Sequence, residues 1–218
     1  MQAVQKIELS ESVGLRDRKR VKTHARIQAE AVRLFLEHGF DATTLDDIAI
    51  AADVSRRTLF HYFVSKEEIV FSTRSDFPDL IAEAVRRRPV DEPLLDMVEN
   101  VLRDLATHYQ STQARGLARL IHDTPTLRAG EQAKYEKVEH MLVRALADRK
   151  GLPDSDLACR VTAAVAIGML KLSIEAWLSE KDAGSDRFGM AAFATLRSVL
   201  GGVDKFEPVS GCGDVDHG

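Results

Sequence analysis

Residues 43–66, TTLDDIAIAADVSRRTLFHYFVSK, decide how this chain is read. Three helix starts and two tight turns fit into that one stretch. Thr44 with Asp47 three residues on forms a capping pair for a short helix whose inward face is Leu45, Ile48, Ala49 and Ala52. Asp53 falls where the chain must turn sharply, and aspartate tolerates a left-handed backbone better than most non-glycine residues. Ser55 caps a third helix to about Tyr62, with Leu59 and Phe63 turned inward. Ser65 and Glu68 repeat the S-x-x-E pattern and open a fourth. The third helix begins on Arg56 and Arg57, although a helix N-terminus carries a partial positive charge. Two cations there cost stability unless an anion faces them, and local rules are broken chiefly where function requires it.

Two short helices, a tight turn and an exposed face on the second make a helix-turn-helix, whose second helix enters the major groove of DNA. Ser55, Arg56, Arg57 and Thr58 then face base edges, where an arginine can grip guanine O6 and N7 and a threonine methyl can meet thymine. His61, Tyr62, Lys66 and Thr44 suit phosphates. The candidate DNA-contacting set is Thr44, Ser55, Arg56, Arg57, Thr58, Phe60, His61, Tyr62 and Lys66. The plain alternative is an ordinary solvated helix with two arginines.

Working back toward the start of the chain, Ile27, Ala31, Leu34, Phe35 and His38 fall on one face of a helix running from about Arg16. Gly39 reads as its left-handed cap, with Phe40 folding back onto the last turn. The chain has a formal net charge of −4, which argues weakly against nucleic acid. The distribution argues for it, because Arg16, Arg18, Lys19, Arg20, Lys22 and Arg26 are opposed locally only by Asp17. Residues 1–13 are polar and are expected to be a disordered arm.

Beyond the helix-turn-helix the pattern stays helical. Pro78 is expected to end or kink the fourth helix near Asp76–Phe77, before it continues to about Arg88. Such a kink would be a place to absorb ligand-driven movement. Helices follow at roughly 93–110, 113–122, 126–149, 154–180 and 186–200, with Gly151 and Pro153 marking one boundary. The 154–180 helix is apolar almost all round and must be buried on more than one side. The tail from Gly201 reads as disordered. The chain thus divides into an arm at 1–13, a helix-turn-helix domain at 14–64, a larger helical domain at 65–200, and a tail at 201–218. The fold class is all-α, with about nine helices.

The residues from Ile27 to Val70, among them RLFLEHGFDATTLDDIA at 33–49, VSRRTLFHYF at 54–63 and SKEEI at 65–69, resemble the DNA-binding domain of TetR/AcrR-family regulators. That family usually has glycine where this chain has Asp53. ARLIHDTPTLRA at 118–129 and ALADRKGL at 145–152 resemble the C-terminal domain of mycofactocin-type regulators in the same family. The resemblance implies that 65–200 is a ligand-binding and dimerisation domain and that the protein is a homodimer, its last two helices forming a four-helix bundle with the partner. It also implies a repressor that leaves a near-palindromic operator when a small apolar or acyl-type effector binds. An activator of the same fold, or a ligand-binding module without DNA reading, is the alternative. Candidate pocket residues are Leu102, Tyr109, Leu117, Ile121, Met141, Met169, Ser173 and Trp177, though such a stripe serves equally as core. Arg119, His122 and Arg160 could anchor an anion or simply form surface ion pairs.

Other classes find little support. The seven histidines lack metal-ligand spacing, and no phosphate-binding glycine loop, nucleophile elbow or H-E-x-x-H motif occurs. No enzyme activity, metal or cofactor is expected. Cys159 and Cys212 are too far apart for a disulfide scaffold and fit a reducing cytosol. No apolar run approaches the ~18 residues that span a bilayer. A cytoplasmic protein with no membrane partner is therefore expected.

Overall fold

The computed structural model describes residues 2–107, 111–179 and 185–202, with side chains over 14–107, 111–179 and 189–201. It holds ten helices: α1 (Gln2–His38), α2 (Leu45–Ala51), α3 (Arg56–Tyr62), α4 (Lys66–Ser72), α5 (Phe77–Arg87), α6 (Leu94–Ala106), α7 (Thr112–Asp123), α8 (Pro125–Lys150), α9 (Leu157–Ser179) and α10 (Ser185–Gly202). Among the described residues there is no strand. α1 begins at Gln2, well before the expected start near Arg16. The tail expected from Gly201 lies almost wholly outside the described residues, as do Tyr109 and Cys212.

The local signals set the first four helices. Gly39 takes φ 88° and ends α1, and the Phe35 and Phe40 rings close on each other at 5.3 Å. His38, expected inward, is 61% exposed. Thr44 and Asp47 form a reciprocal capping box on α2. Asp53 sits at φ 49°, with its N–H donating to Ile50 O at 3.1 Å and that of Val54 to Ala49 O at 3.0 Å. This is the paired closure that a left-handed residue permits after a helix. Ser55 caps α3 through the Thr58 N–H. At α4 the Ser65 hydroxyl accepts from the Glu68 N–H, but the Glu68 carboxylate reaches back to the Val64 N–H at 2.6 Å rather than to Ser65.

Instead of one kinked helix over 65–88, the chain makes two. α4 stops at Ser72, successive turns occupy 73–76, and Pro78 stands in the first turn of α5. Proline fits there because its missing N–H has no helical partner to lose. The turn is pinned to α8: the Lys134 ammonium donates to Phe71 O at 2.6 Å and lies 4.6 Å from the Phe71 ring centre. Arg74 approaches Glu131 at 3.9 Å. A Cβ on Gly130 would meet the Phe71 ring at 2.6 Å, so only glycine lets α8 come this close. Burial lowers the Lys134 pKa to about 8, with Arg74 adding to the effect. Burial also raises the Glu131 carboxyl and the Tyr135 phenol.

Two main cores result. The first joins Ile27, Phe35, Ile48, Leu59, Phe63 and Ile69 of α1–α4, and it extends beyond residue 64 to take in Leu117 and Ile121 of α7 and Leu127 of α8. The second joins Ile81, Met97, Val101, Leu142, Leu146, Ala163, Ile167 and Phe193 of α5, α6, α8, α9 and α10. Cys159 is buried in this second core, and desolvation raises its thiol to about 11, as expected of an inert core residue.

α9 is buried on one face only. Cys159, Ala163, Ala166 and Ile167 point inward, while Leu157, Val161 and Leu172 are 71%, 53% and 54% exposed. The helix has 23 residues and an 18-residue stretch of mean hydropathy 1.7, long and apolar enough to cross a membrane by length and composition. This corrects the expectation that no segment qualifies. Arg160 and Lys171 interrupt the apolar run but not its average. The helix is packed against α6, α8 and α10.

Candidate nucleic-acid interface

α3 is held from behind. Leu59 is fully buried and Phe63, at the C-cap, nearly so; a buried side chain of this size contributes roughly 1.5–3 kcal/mol. The opposite face carries Ser55, Arg56, Arg57, Phe60 and His61, all exposed. Among the described residues Arg57 has no ion-pair or hydrogen-bond partner. Arg56 differs: its guanidinium meets Asp46 of α2 at 3.1 Å and lies 5.6 Å from the Phe60 ring centre. Part of the anion that the Arg56–Arg57 start requires is thus supplied by the fold itself. With both partners more than half exposed, this ion pair contributes only about 0–1 kcal/mol.

Thr44 and Thr58 are tied into caps. The Thr44 hydroxyl donates to Asp47 Oδ2 at 2.7 Å, and these bonds hold the Asp47 carboxyl below its ordinary range. The Ser55 and Thr58 hydroxyls lie 2.7 Å apart. Lys66, expected to face phosphate, turns inward. Its ammonium donates to Phe40 O at 2.7 Å and Thr43 O at 2.8 Å and lies 4.5 Å from the Phe40 ring centre. It clamps the turn between α1 and α2, a role its place at a helix start did not signal.

The basic segment of α1 lies beside α3. Arg20, Val21 and His24 line a cleft of about 390 Å³ together with His61 and Tyr62. The His24 ring contacts Phe63 at 4.6 Å and Tyr62 edge-on at 6.3 Å. Tyr62 is therefore half-buried rather than fully outward. Arg26 donates to the Asp53 carbonyl at 3.3 Å, bracing the turn between α2 and α3. Asp46, His24 and Arg26 were not legible as parts of this unit, because each reaches it across the fold rather than along the chain.

The expected pocket residues do not converge. Leu117 and Ile121 belong to the first core, Leu102 and Met169 pack on the second, and Trp177 is buried with Ala118 and Leu178 in a small third cluster. Met141 is half-buried on α8. The Ser173 hydroxyl donates to Met169 O of its own helix at 2.6 Å. A separate cleft of about 710 Å³ lies between α7 and α9, lined by Arg115, Arg119, His122, Glu175, Leu178 and Ser179. Arg160, on the first turns of α9, is exposed and not among its lining.

A buttressed helix with an unpartnered arginine on its outer face, beside a basic helix segment, defines a helix-turn-helix DNA-binding protein with a larger helical domain. Residues 27–73 match the tetR family of bacterial regulatory proteins, and residues 92–201 match the MftR C-terminal domain. The chain belongs to the TetR family of transcriptional regulators. It is 29% identical over 195 residues to the HTH-type transcriptional regulator TcmR of Streptomyces glaucescens, covering 85% of this chain and 86% of the relative. It is also 29% identical over 195 residues to a Mycobacterium tuberculosis protein, MftR, named for regulation of mycofactocin biosynthesis, covering 84% and 93% respectively. The fold matches Thermus thermophilus FadR, a TetR-family repressor solved with lauroyl-CoA, at TM-score 0.55 and 23% identity over 87% of this chain and all of that one.

Proposed function

We propose that this regulator acts as a homodimeric repressor in the cytoplasm, binding a near-palindromic operator and leaving it when a small apolar or acyl-type effector binds. The observation that carries the DNA-reading part is Arg57, exposed and without a protein partner on the first turn of a helix whose back is fixed in the core. Arg57 reads a guanine edge. Arg56, shared with Asp46, contributes less to base choice. His61 and the Arg20–His24 cleft sit where phosphates would flank the groove. The exposed stripe of Leu157, Val161 and Leu172 on α9, with Val199 and Leu200 on α10, supports a two-fold apolar interface. The complex of FadR with lauroyl-CoA supports an acyl-type effector.

Footprinting on candidate promoter DNA across salt concentrations tests this reading. A protected site with two-fold symmetry and a steep loss of affinity with salt is expected. In vitro transcription then separates repression from activation, since an activator would raise transcript from the same bound site. Absence of any sequence-selective footprint would leave only the ligand-binding alternative.

A further inference from the structure

We infer that α1 is a second DNA-contacting helix, whose face bearing Arg16, Lys19 and Arg20 binds duplex phosphates beyond those that α3 reaches. This rests on the DNA reading proposed above and adds to it a backbone contact with no base preference. α1 runs from Gln2 to His38, and the His24 ring meets Phe63 at 4.6 Å. Arg16 lies two turns before His24, so the helix continues about 12 Å past that contact. Residues 16–26 hold Arg16, Arg18, Lys19, Arg20, Lys22 and Arg26 against the single carboxylate of Asp17. Further back, Lys6 is outnumbered by Glu8 and Glu11, which confines the positive charge to the segment beside α3. α3 itself carries no carboxylate.

The side on which these cations stand decides what they face. Arg16, Lys19, Arg20, Thr23 and Ile27 fall at i, i+3, i+4, i+7 and i+11, one stripe of the helix. Further along, the same stripe is Ile27, Ala31 and Leu34, all buried in the first core. The inward face of α1 is thus apolar where a core lies against it and cationic where the helix runs past that core. Arg20 shows the direction, because it lines the cleft of about 390 Å³ together with His61 and Tyr62 of α3. His61 follows Arg57 by one turn, so exposed Arg57, His61, Arg20 and Arg16 lead from the reader helix onto α1. Among the described residues, Arg16, Arg18, Lys19, Arg20 and Lys22 make no side-chain ion pair or hydrogen bond. Arg26, by contrast, braces the Asp53 carbonyl, and Arg33 is held by Glu30 and Glu37. Arg16 with Arg20, and Arg18 with Lys22, are like-charged pairs at i, i+4, which cost a helix stability. A duplex backbone is a polyanion that offsets this cost on the side it touches.

Arg18 and Lys22 supply the control, since they stand on the opposite side of α1 with the same spacing and the same charge. The full chain is compared with two double variants, Arg16→Ala with Arg20→Ala and Arg18→Ala with Lys22→Ala. Anisotropy reads their binding to the footprinted promoter duplex and to a duplex of scrambled sequence across salt concentrations. All four positions are exposed and alanine is the best helix former, so both variants keep the fold. Losing Arg16 and Arg20 should flatten the salt dependence of log affinity by about 0.9 for each phosphate contact, with about two contacts per chain. It should also weaken both duplexes alike, by about tenfold or more. Losing Arg18 and Lys22 should leave the slope as it was. Phosphate-ethylation interference locates the contact, as positions that block the unaltered chain but no longer matter to the Arg16 and Arg20 variant. Equal losses in the two variants would show that only overall charge acts and would overturn the assigned face. An unchanged slope without Arg16 and Arg20 would overturn the contact itself. Equal binding of both duplexes by the unaltered chain is instead a failure of the base reading by Arg57, and the two variants still decide the role of α1. Failure to bind any duplex overturns both.

Discussion

The α1–α4 unit and the α9–α10 layer leave opposite kinds of surface uncovered. On α3 the outward residues are Arg57, His61 and the paired Arg56, while every large apolar side chain but Phe60 is turned in. On α9 the outward residues include Leu157, Val161 and Leu172. The first surface is suited to a polyanion and the second to another apolar face. They differ also in what holds them. α3 is only seven residues long and depends on caps and on Leu59 and Phe63. α9 has 23 residues and is held along its length by α6, α7, α8 and α10. A short, well-capped helix with a polar outer face and a long, half-covered helix with an apolar one fit the separate roles of DNA reading and dimer assembly proposed above.

Breaking the apolar side of this contrast should have the largest effect. Replacing both Val161 and Leu172 by glutamate should convert a dimer to a monomer at micromolar concentration, read by sedimentation, with operator binding lost in consequence. Monodisperse dimer in the double variant would show that α9 is not the assembly surface. On the other side, Leu59→Ala should cost about 2–5 kcal/mol of stability by opening a cavity behind the reader. Chemical denaturation measures this, and a loss below that range would mean that the caps, not the core, hold α3.

A finer contrast lies between neighbouring arginines. Arg57→Ala should lose about 1–3 kcal/mol of discrimination at one base position, whereas Arg56→Ala should lose less and should do so along with Asp46→Ala. Equal effects in a binding-site selection experiment would remove the distinction drawn from the Arg56–Asp46 contact. Asp53→Gly should stabilise the chain by roughly 0.5–1 kcal/mol, since glycine adopts φ 49° without strain and keeps the carbonyl that Arg26 uses. A lower melting temperature would show that the aspartate side chain does more than occupy the turn.

The smallest effect concerns the joint between the two regions. The Lys134 pKa is lowered from 10.5 to about 8, so between these values the unfolded chain binds more protons than the folded one. Stability should therefore gain a contribution as pH rises from about 8 toward 10.5, the direction set by proton linkage. Lys134→Met should flatten that segment of the stability curve, measured by denaturation at several pH values.

Much of the reader was legible because its instructions are local. Thr44 with Asp47, Gly39, Asp53 and Ser55 each act within a few residues, and each takes the expected conformation. The break between α4 and α5 was not legible, because Pro78 signals a kink inside a helix and the first turn of a new one equally well. Arg119 and His122, singled out as candidate anion anchors, do line the cleft between α7 and α9, but the apolar residues expected beside them did not gather, for another reason. Leu117, Met169 and Trp177 carry the same apolar signal, yet they fall in three different clusters.

By itself, then, the sequence determined the starts of α2, α3 and α4, the left-handed turns at Gly39 and Asp53, the buried face of α3 and the family. These depend on hydrogen bonds and steric limits spanning a turn or two of chain. Only the tertiary structure decided that Lys66 clamps the turn after α1, that Asp46 answers Arg56, and that Arg115 and Arg119 close on the end of α9. Each of those contacts joins groups ten or more residues apart, where side-chain chemistry states what can bond and only packing states what does.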